Sequence, residues 1–95
     1  MMIQWLEDAI RDLEALRAYI AKDKPSAANR IATQILSTVS LLSVSPEIGR
    51  VGQISDTREL VIAGTPYIIP YRIKNNVVEI LRVLHGAMQW PPEGF

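Results

Sequence analysis

Two periods of hydrophobicity divide the chain. Leu6, Ala9, Ile10, Leu13, Leu16, Tyr19 and Ile20 recur at three-and-four spacing, while Arg11, Glu14, Ala15 and Arg17 fall mostly elsewhere. That is the signature of a helix with one buried stripe, and it runs to about Lys22. Glu7, Asp8 and Asp12 crowd its first turns, where the macrodipole favours negative charge, and Lys22 and Lys24 suit its C-terminal end. The same spacing returns in Ala28, Ile31, Ala32, Ile35, Leu36, Val39 and Leu42 and predicts a second helix from Pro25 to about Ser43. Pro25 is well placed at a first helical position and disfavoured inside a helix, so Asp23-Lys24-Pro25 is a break and restart. Asp23 or Lys24 is the cap, and Asp23 has the better capping chemistry. A connection this short folds the two helices into an antiparallel hairpin.

From Thr57 the period changes to two. Thr57 to Ile62 reads as a strand, Ala63 to Pro66 as a turn, Tyr67 to Lys74 as a strand, and Val77 to His85 as the last strand. Asn75-Asn76 is a two-residue hairpin loop whose residues tolerate positive φ. A short strand at Ile3 to Trp5 completes the order β-α-α-β-β-β. Within Tyr67 to Lys74, the set Tyr67, Ile69, Tyr71 and Ile73 should meet the helices, and Ile68, Pro70, Arg72 and Lys74 face away. Pro70 has no N–H for a ladder, which implies a bulge or an unpaired side there. Val78, Ile80 and Leu84 alternate with Leu81 and Val83, as in a strand covered on both faces. Pro46, Gly49 and Gly52 punctuate the loop before Thr57, where Ile48 and Val51 are expected to tuck inward.

Composition narrows the function classes. At 95 residues the chain is one domain, spanning residues 1–95. Hydrophobic residues make up 48% and mean hydropathy is +0.12, high enough that apolar surface should remain for a protein partner to cover. Ten basic residues balance ten acidic ones, which disfavours tight nonspecific binding to nucleic acid. With no cysteine there is no disulfide, thiolate nucleophile or cysteine metal site, a composition that fits the cytoplasm. The start carries no signal peptide, and no apolar run approaches the roughly 20 residues a membrane span needs. No metal motif, P-loop, Rossmann fingerprint or nucleophile triad is present, so neither metal nor cofactor is expected.

The stretches YIAKDKPSAANR, PEIGRVG, TRELV, PYIIPYRI and VVEILRVLHGAMQWP, in this order and at these spacings, resemble the RelE/ParE superfamily of bacterial toxins, and the ending is most similar to the ParE side. The resemblance covers nearly the whole chain. It implies an α+β toxin, a two-helix antiparallel hairpin on a curved, mainly antiparallel small sheet, neutralised by a cognate antitoxin. It further implies DNA gyrase as the target if the chain follows the ParE branch. The alternative is the RelE branch, which cuts messenger RNA on the ribosome. Where many interferases of that branch place an arginine directly after the aromatic that opens the third strand, this chain has Ile68. Ala87 stands where some carry a basic residue. His85 does match a histidine that some use as general acid.

Candidate residues follow from these two readings. His85 could protonate a leaving 5′ oxygen, but a lone histidine at a strand end is more often structural. Arg58, Arg72 and Arg82 would make a phosphate clamp, or a contact to target or antitoxin, if curvature gathered them. The plainer reading has Arg72 on a solvated face and Arg58 and Arg82 in ion pairs with Glu59 or Glu79. Trp5 and Trp90 join the termini to the core, and Trp90 would be an interface anchor if exposed. The tail from Gly86 to Phe95 is expected to pack by Met88 and Trp90 before fraying. The outer apolar residues of the helical hairpin offer a groove for an antitoxin helix, and without antitoxin a homodimer could form through it. The leading expectation is therefore a non-enzymatic toxin that binds gyrase. A ribonuclease using His85, and an interaction module without toxicity, are the competing readings.

Overall fold

The computed structural model describes residues 1–86, 90 and 91. The elements are β1 (Met2–Trp5), α1 (Glu7–Ala21), α2 (Pro25–Ser40), a 3-10 turn at Leu41–Ser43, β2 (Arg50–Val51), β3 (Thr57–Val61), β4 (Tyr67–Lys74), β5 (Val77–Ile80) and β6 (Leu84–His85). The strands form one sheet in the order β1-β5-β4-β3-β2, with β6 pairing β4 beyond the end of β5. β1 runs parallel to β5, and every other pairing is antiparallel. This is the expected α+β architecture, a helical hairpin on a mainly antiparallel sheet, with the short strand β2 added at the far edge.

Alternation along the strands sorts the sheet into two faces. Ile3 and Trp5 of β1, Leu60 of β3, Tyr67, Ile69 and Tyr71 of β4, and Val78 and Ile80 of β5 share the face that meets the helices. Ala9 of α1, and Ile35, Val39 and Leu42 from α2 and the turn after it, close over that face. At about 25 cal/mol per Å² of apolar surface, burying such side chains supplies the main driving force of the fold. The opposite face carries the ion pairs Arg50 to Glu59 and Arg72 to Glu79.

Several expectations need correction. Ile10, Tyr19 and Leu36 follow the helical spacing but are exposed, because the helices turn only part of each apolar stripe toward the sheet. Lys24, not Asp23, is the N-cap of α2, without a side-chain cap bond, and Pro25 holds the first helical position. The α-helical part of α2 stops at Ser40 and tightens into the 3-10 turn. Ile48 and Val51 are exposed, since the loop carrying them is fastened by polar contacts instead of apolar ones. The last strand is broken. β5 pairs β4 in the register Tyr71 to Ile80, whereas β6 pairs Tyr67 to His85, one residue out of step. The extra residue is a bulge opposite Pro70, whose carbonyl accepts the Leu81 N–H but which has no N–H to return. The slip reverses the side-chain alternation, so His85 shares a face with Tyr67, and Leu84 with Ile68.

The Asn75-Asn76 turn is as the sequence predicts, with φ of 53° and 62°. Both values match the primed turn whose twist suits a two-residue hairpin.

Candidate functional site

The sheet residues singled out by sequence do not form one cluster. Arg58 lies at the start of β3 and donates from Nη1 to the carbonyls of Glu47 (3.2 Å) and Gly49 (2.8 Å). Arg72, one pair further along and on the other face, donates from Nε to Glu79 Oε1 at 2.6 Å. Arg82, in the bulge, donates from Nε and Nη2 to the two oxygens of Asp12 on α1 at 2.7 and 3.1 Å. The ion pairs expected for Arg58 and Arg82 are therefore replaced by loop carbonyls and by Asp12, and Arg72 is paired where a solvated face was expected. Glu59 is taken by Arg50 at 2.9 Å and by the Gln53 N–H at 3.4 Å. A guanidinium in a two-point hydrogen bond with a carboxylate holds its proton more firmly, and the Asp12 contact raises the Arg82 pKa above its ordinary value.

His85 is exposed at the end of β6 and stands edge-on to Tyr67, ring centroids 5.8 Å apart at 85°. Trp90 is buried, with 7% of its surface exposed, and lies near Leu6, Leu81 and Arg82. Its side chain is thus packed into the body of the fold. Ala87 and Met88 lie outside the described residues.

Asp12 and Tyr71, which the sequence marks only as a first-turn acid and a core ring, organise this region. Asp12 bonds both Arg82 and the Val83 N–H, the latter at 3.0 Å, and so clamps the bulge to α1. Its signal was present: Asp12 stands three residues after buried Ala9 and one before Leu13, on the border of the apolar stripe, where a carboxylate needs a partner. Tyr71 was assigned to the core, and its ring is fully buried there. Its hydroxyl also donates to the Pro46 carbonyl at 2.8 Å and accepts the Gly49 N–H at 2.9 Å. A Cβ on Gly49 would stand 2.6 Å from that ring, so only glycine allows the loop so close.

A second candidate surface lies on the outside of the helical hairpin. A groove of about 890 Å³ runs between α1 and α2, lined by Leu13, Ala18, Ala21, Ala32 and Leu36 among others. Small residues keep its floor low, and Arg17 bridges it by a 2.8 Å bond to Asn29. Such a concave apolar strip between two helices is the shape that accepts an amphipathic helix. Among the described residues no group of acidic or imidazole side chains is placed to hold a metal ion, and no helix is long and apolar enough to cross a membrane.

Comparison with known proteins gives concordant matches. Residues 3–90 match the family described as the ParE toxin of type II toxin-antitoxin system, parDE. A Sinorhizobium fredii protein bearing the designation toxin Y4kP is 51% identical over 94% of this chain and 92% of its own length. Toxin RelE2 of Caulobacter vibrioides is 36% identical over 90% of this chain and 94% of its own. Among solved structures, the chromosomal ParDE system of P. aeruginosa superposes with a TM-score of 0.82 at 25% identity, covering 90% of this chain and 95% of that one. The intact E. coli RelBE toxin-antitoxin complex shares the fold, with a TM-score of 0.62 at 15% identity over 86% and 92% of the two chains.

Proposed function

The chain belongs to the ParE toxin family of type II toxin-antitoxin systems, and from that premise we propose that it inhibits DNA gyrase by binding it and is held inactive by a cognate antitoxin. One observation carries the choice of target. Arg58, Arg72 and Arg82 are each bonded to a different neighbour, loop carbonyls, Glu79 and Asp12, and neither cleft beside them gathers all three. Cleavage of a phosphodiester needs cations gathered where negative charge develops in the transition state. Ile68, the position where related interferases carry an arginine, is half-buried and pairs across the sheet with Val61 and Leu84. A neutral chain whose three candidate arginines do not converge on one point suits contact with a protein better than grip on a ribosome.

The antitoxin reading draws on the groove between α1 and α2, which offers apolar area to an amphipathic helix. The relatives of the same fold include toxins solved with their antitoxins, which favours the same partner here. Arg58, Arg72 and Arg82 then act as contacts to target or antitoxin through whatever donors their present bonds leave over. Trp90 acts by packing beside Leu6, Leu81 and Arg82.

Purified chain, added at micromolar concentration to a supercoiling and cleavage-complex assay, should inhibit gyrase and trap cleaved DNA; unchanged gyrase activity sinks the assignment. The competing reading, ribosome-dependent cleavage of messenger RNA with His85 as general acid, has one observation in its favour. His85 is exposed and oriented by Tyr67 at the strand end. Primer-extension mapping after induction separates the two: discrete cuts in messenger RNA that vanish in His85→Ala would establish the ribonuclease.

A further inference from the structure

β4 outruns β3. Their last pair is Thr57 with Arg72, so Ile73 and Lys74 continue past the partner strand, and the loop at 52–56 folds up beside them. Between loop and strand lies a cleft of about 700 Å³, distinct from the groove of the helical hairpin. Its aliphatic lining is Val51, Ile54, Ile73 and Leu81, of which Val51 and Ile73 leave 81% and 38% of their surface open to solvent. Its charged lining is Arg58, Arg72 and Lys74 against the single carboxylate of Asp56.

In a chain whose ten basic and ten acidic residues balance, that is a local excess of positive charge. Glu79 compensates Arg72. Arg58 is bonded only to neutral carbonyls and keeps its charge uncancelled, and Lys74 makes no ion pair among the described residues. Past Arg72 the β3 side of β4 has no partner strand, so a segment lying in the cleft would run beside that open edge at Ile73 and Lys74.

We infer that this cleft is a docking site for an extended acidic segment of a partner protein that also carries aliphatic side chains. Charge complementarity sets the sign of the segment, and the exposed isoleucine and leucine surface sets its apolar content. Single-stranded nucleic acid fits less well. It binds through a track of several cations and through aromatic faces that stack bases, whereas the aromatic in this lining, Tyr71, is fully buried with its hydroxyl engaged. The inference stands on the chemistry of the cleft and holds whichever target the toxin poisons.

The test uses the whole chain and a fluorescein-labelled hexapeptide alternating glutamate and leucine. Controls carry lysine for glutamate, serine for leucine, or are a hexamer of uridine. Anisotropy should report binding of the glutamate-leucine peptide that weakens with added salt, about tenfold weaker binding to Lys74→Glu, and little binding of any control. Amide shifts in the bound state should map to residues 51–56 and 72–74. Thermal unfolding of Lys74→Glu matching the parent shows that the variant is folded, as expected for an exposed side chain. The inference is overturned if no binding is seen at millimolar peptide, if the lysine peptide binds equally, or if shifts map between α1 and α2. Tighter binding of the uridine hexamer would make the cleft a nucleic-acid site instead.

Discussion

Tyr71 joins three segments far apart in the chain: its ring fills the core between sheet and helices, and its hydroxyl ties the Pro46 to Gly49 loop to β4. Replacing it with phenylalanine keeps the ring and removes both bonds, leaving a buried Gly49 N–H without its acceptor. Tyr71→Phe should cost roughly 1–3 kcal/mol, read as a lower urea midpoint with an unchanged slope. Burial, opposed by the Gly49 N–H bond and the Arg58 charge, raises the Tyr71 pKa above its ordinary value. The unfolded chain therefore gives up this proton first. The associated stability is intact below the ordinary tyrosine pKa of about 10 and is lost as pH rises from there through the folded value. A stability profile between neutral and alkaline pH should fall less steeply in Tyr71→Phe than in the parent.

At the scale of elements, the decisive feature is the bulge between β5 and β6. Pro70 explains why the ladder fails at that point, and Asp12 explains why the freed segment is ordered: it takes both Arg82 and the Val83 N–H. Asp12→Ala removes three hydrogen bonds from partly buried groups and should cost roughly 1–3 kcal/mol. Hydrogen exchange should accelerate at Val83 and Leu84 more than in β3. Equal protection in variant and parent would mean that packing, not Asp12, holds the bulge. The β4 to β5 turn offers a complementary check. Asn76 has a φ of 62°, and a β-branched side chain there is strained, so Asn76→Val should lower stability by about 1–2 kcal/mol, while Asn76→Gly should leave it nearly unchanged.

For the molecule as a whole, the helices present one side to the sheet and leave the other as a groove. Leu36 lines that groove and is 49% exposed, so Leu36→Glu should fold normally. If the groove takes the antitoxin, this variant should bind it at least about tenfold more weakly and should arrest growth despite antitoxin co-expression. Rescue equal to the parent would move the antitoxin elsewhere. His85→Ala should leave growth arrest intact if the target is gyrase. Loss of arrest in a variant with parental stability would favour the ribonuclease reading.

The sequence by itself determined both helices and most of the strands, though not β2 or the break between β5 and β6. Three-and-four spacing located both helices, alternation located β3 and β4, Pro25 placed the start of α2, and Asn75-Asn76 set the primed turn. These are properties of neighbours in the chain, and local spacing and dihedral preference suffice to read them. Pro70 even announced a defect in the ladder. What only the tertiary structure decided was where that defect fell and what it did. A one-residue slip opposite Pro70 reversed the faces of Leu84 and His85, because side-chain direction in a strand depends on register with a partner. The pairing of Arg82 with Asp12, 70 positions away, and of Arg50 with Glu59 could not be read from spacing. Charges of both signs are scattered along the chain, and only the packing of α1 on the sheet and the pairing of β2 with β3 select which of them meet. That selection is why the arginines, close in sequence pattern, end on different faces of the fold.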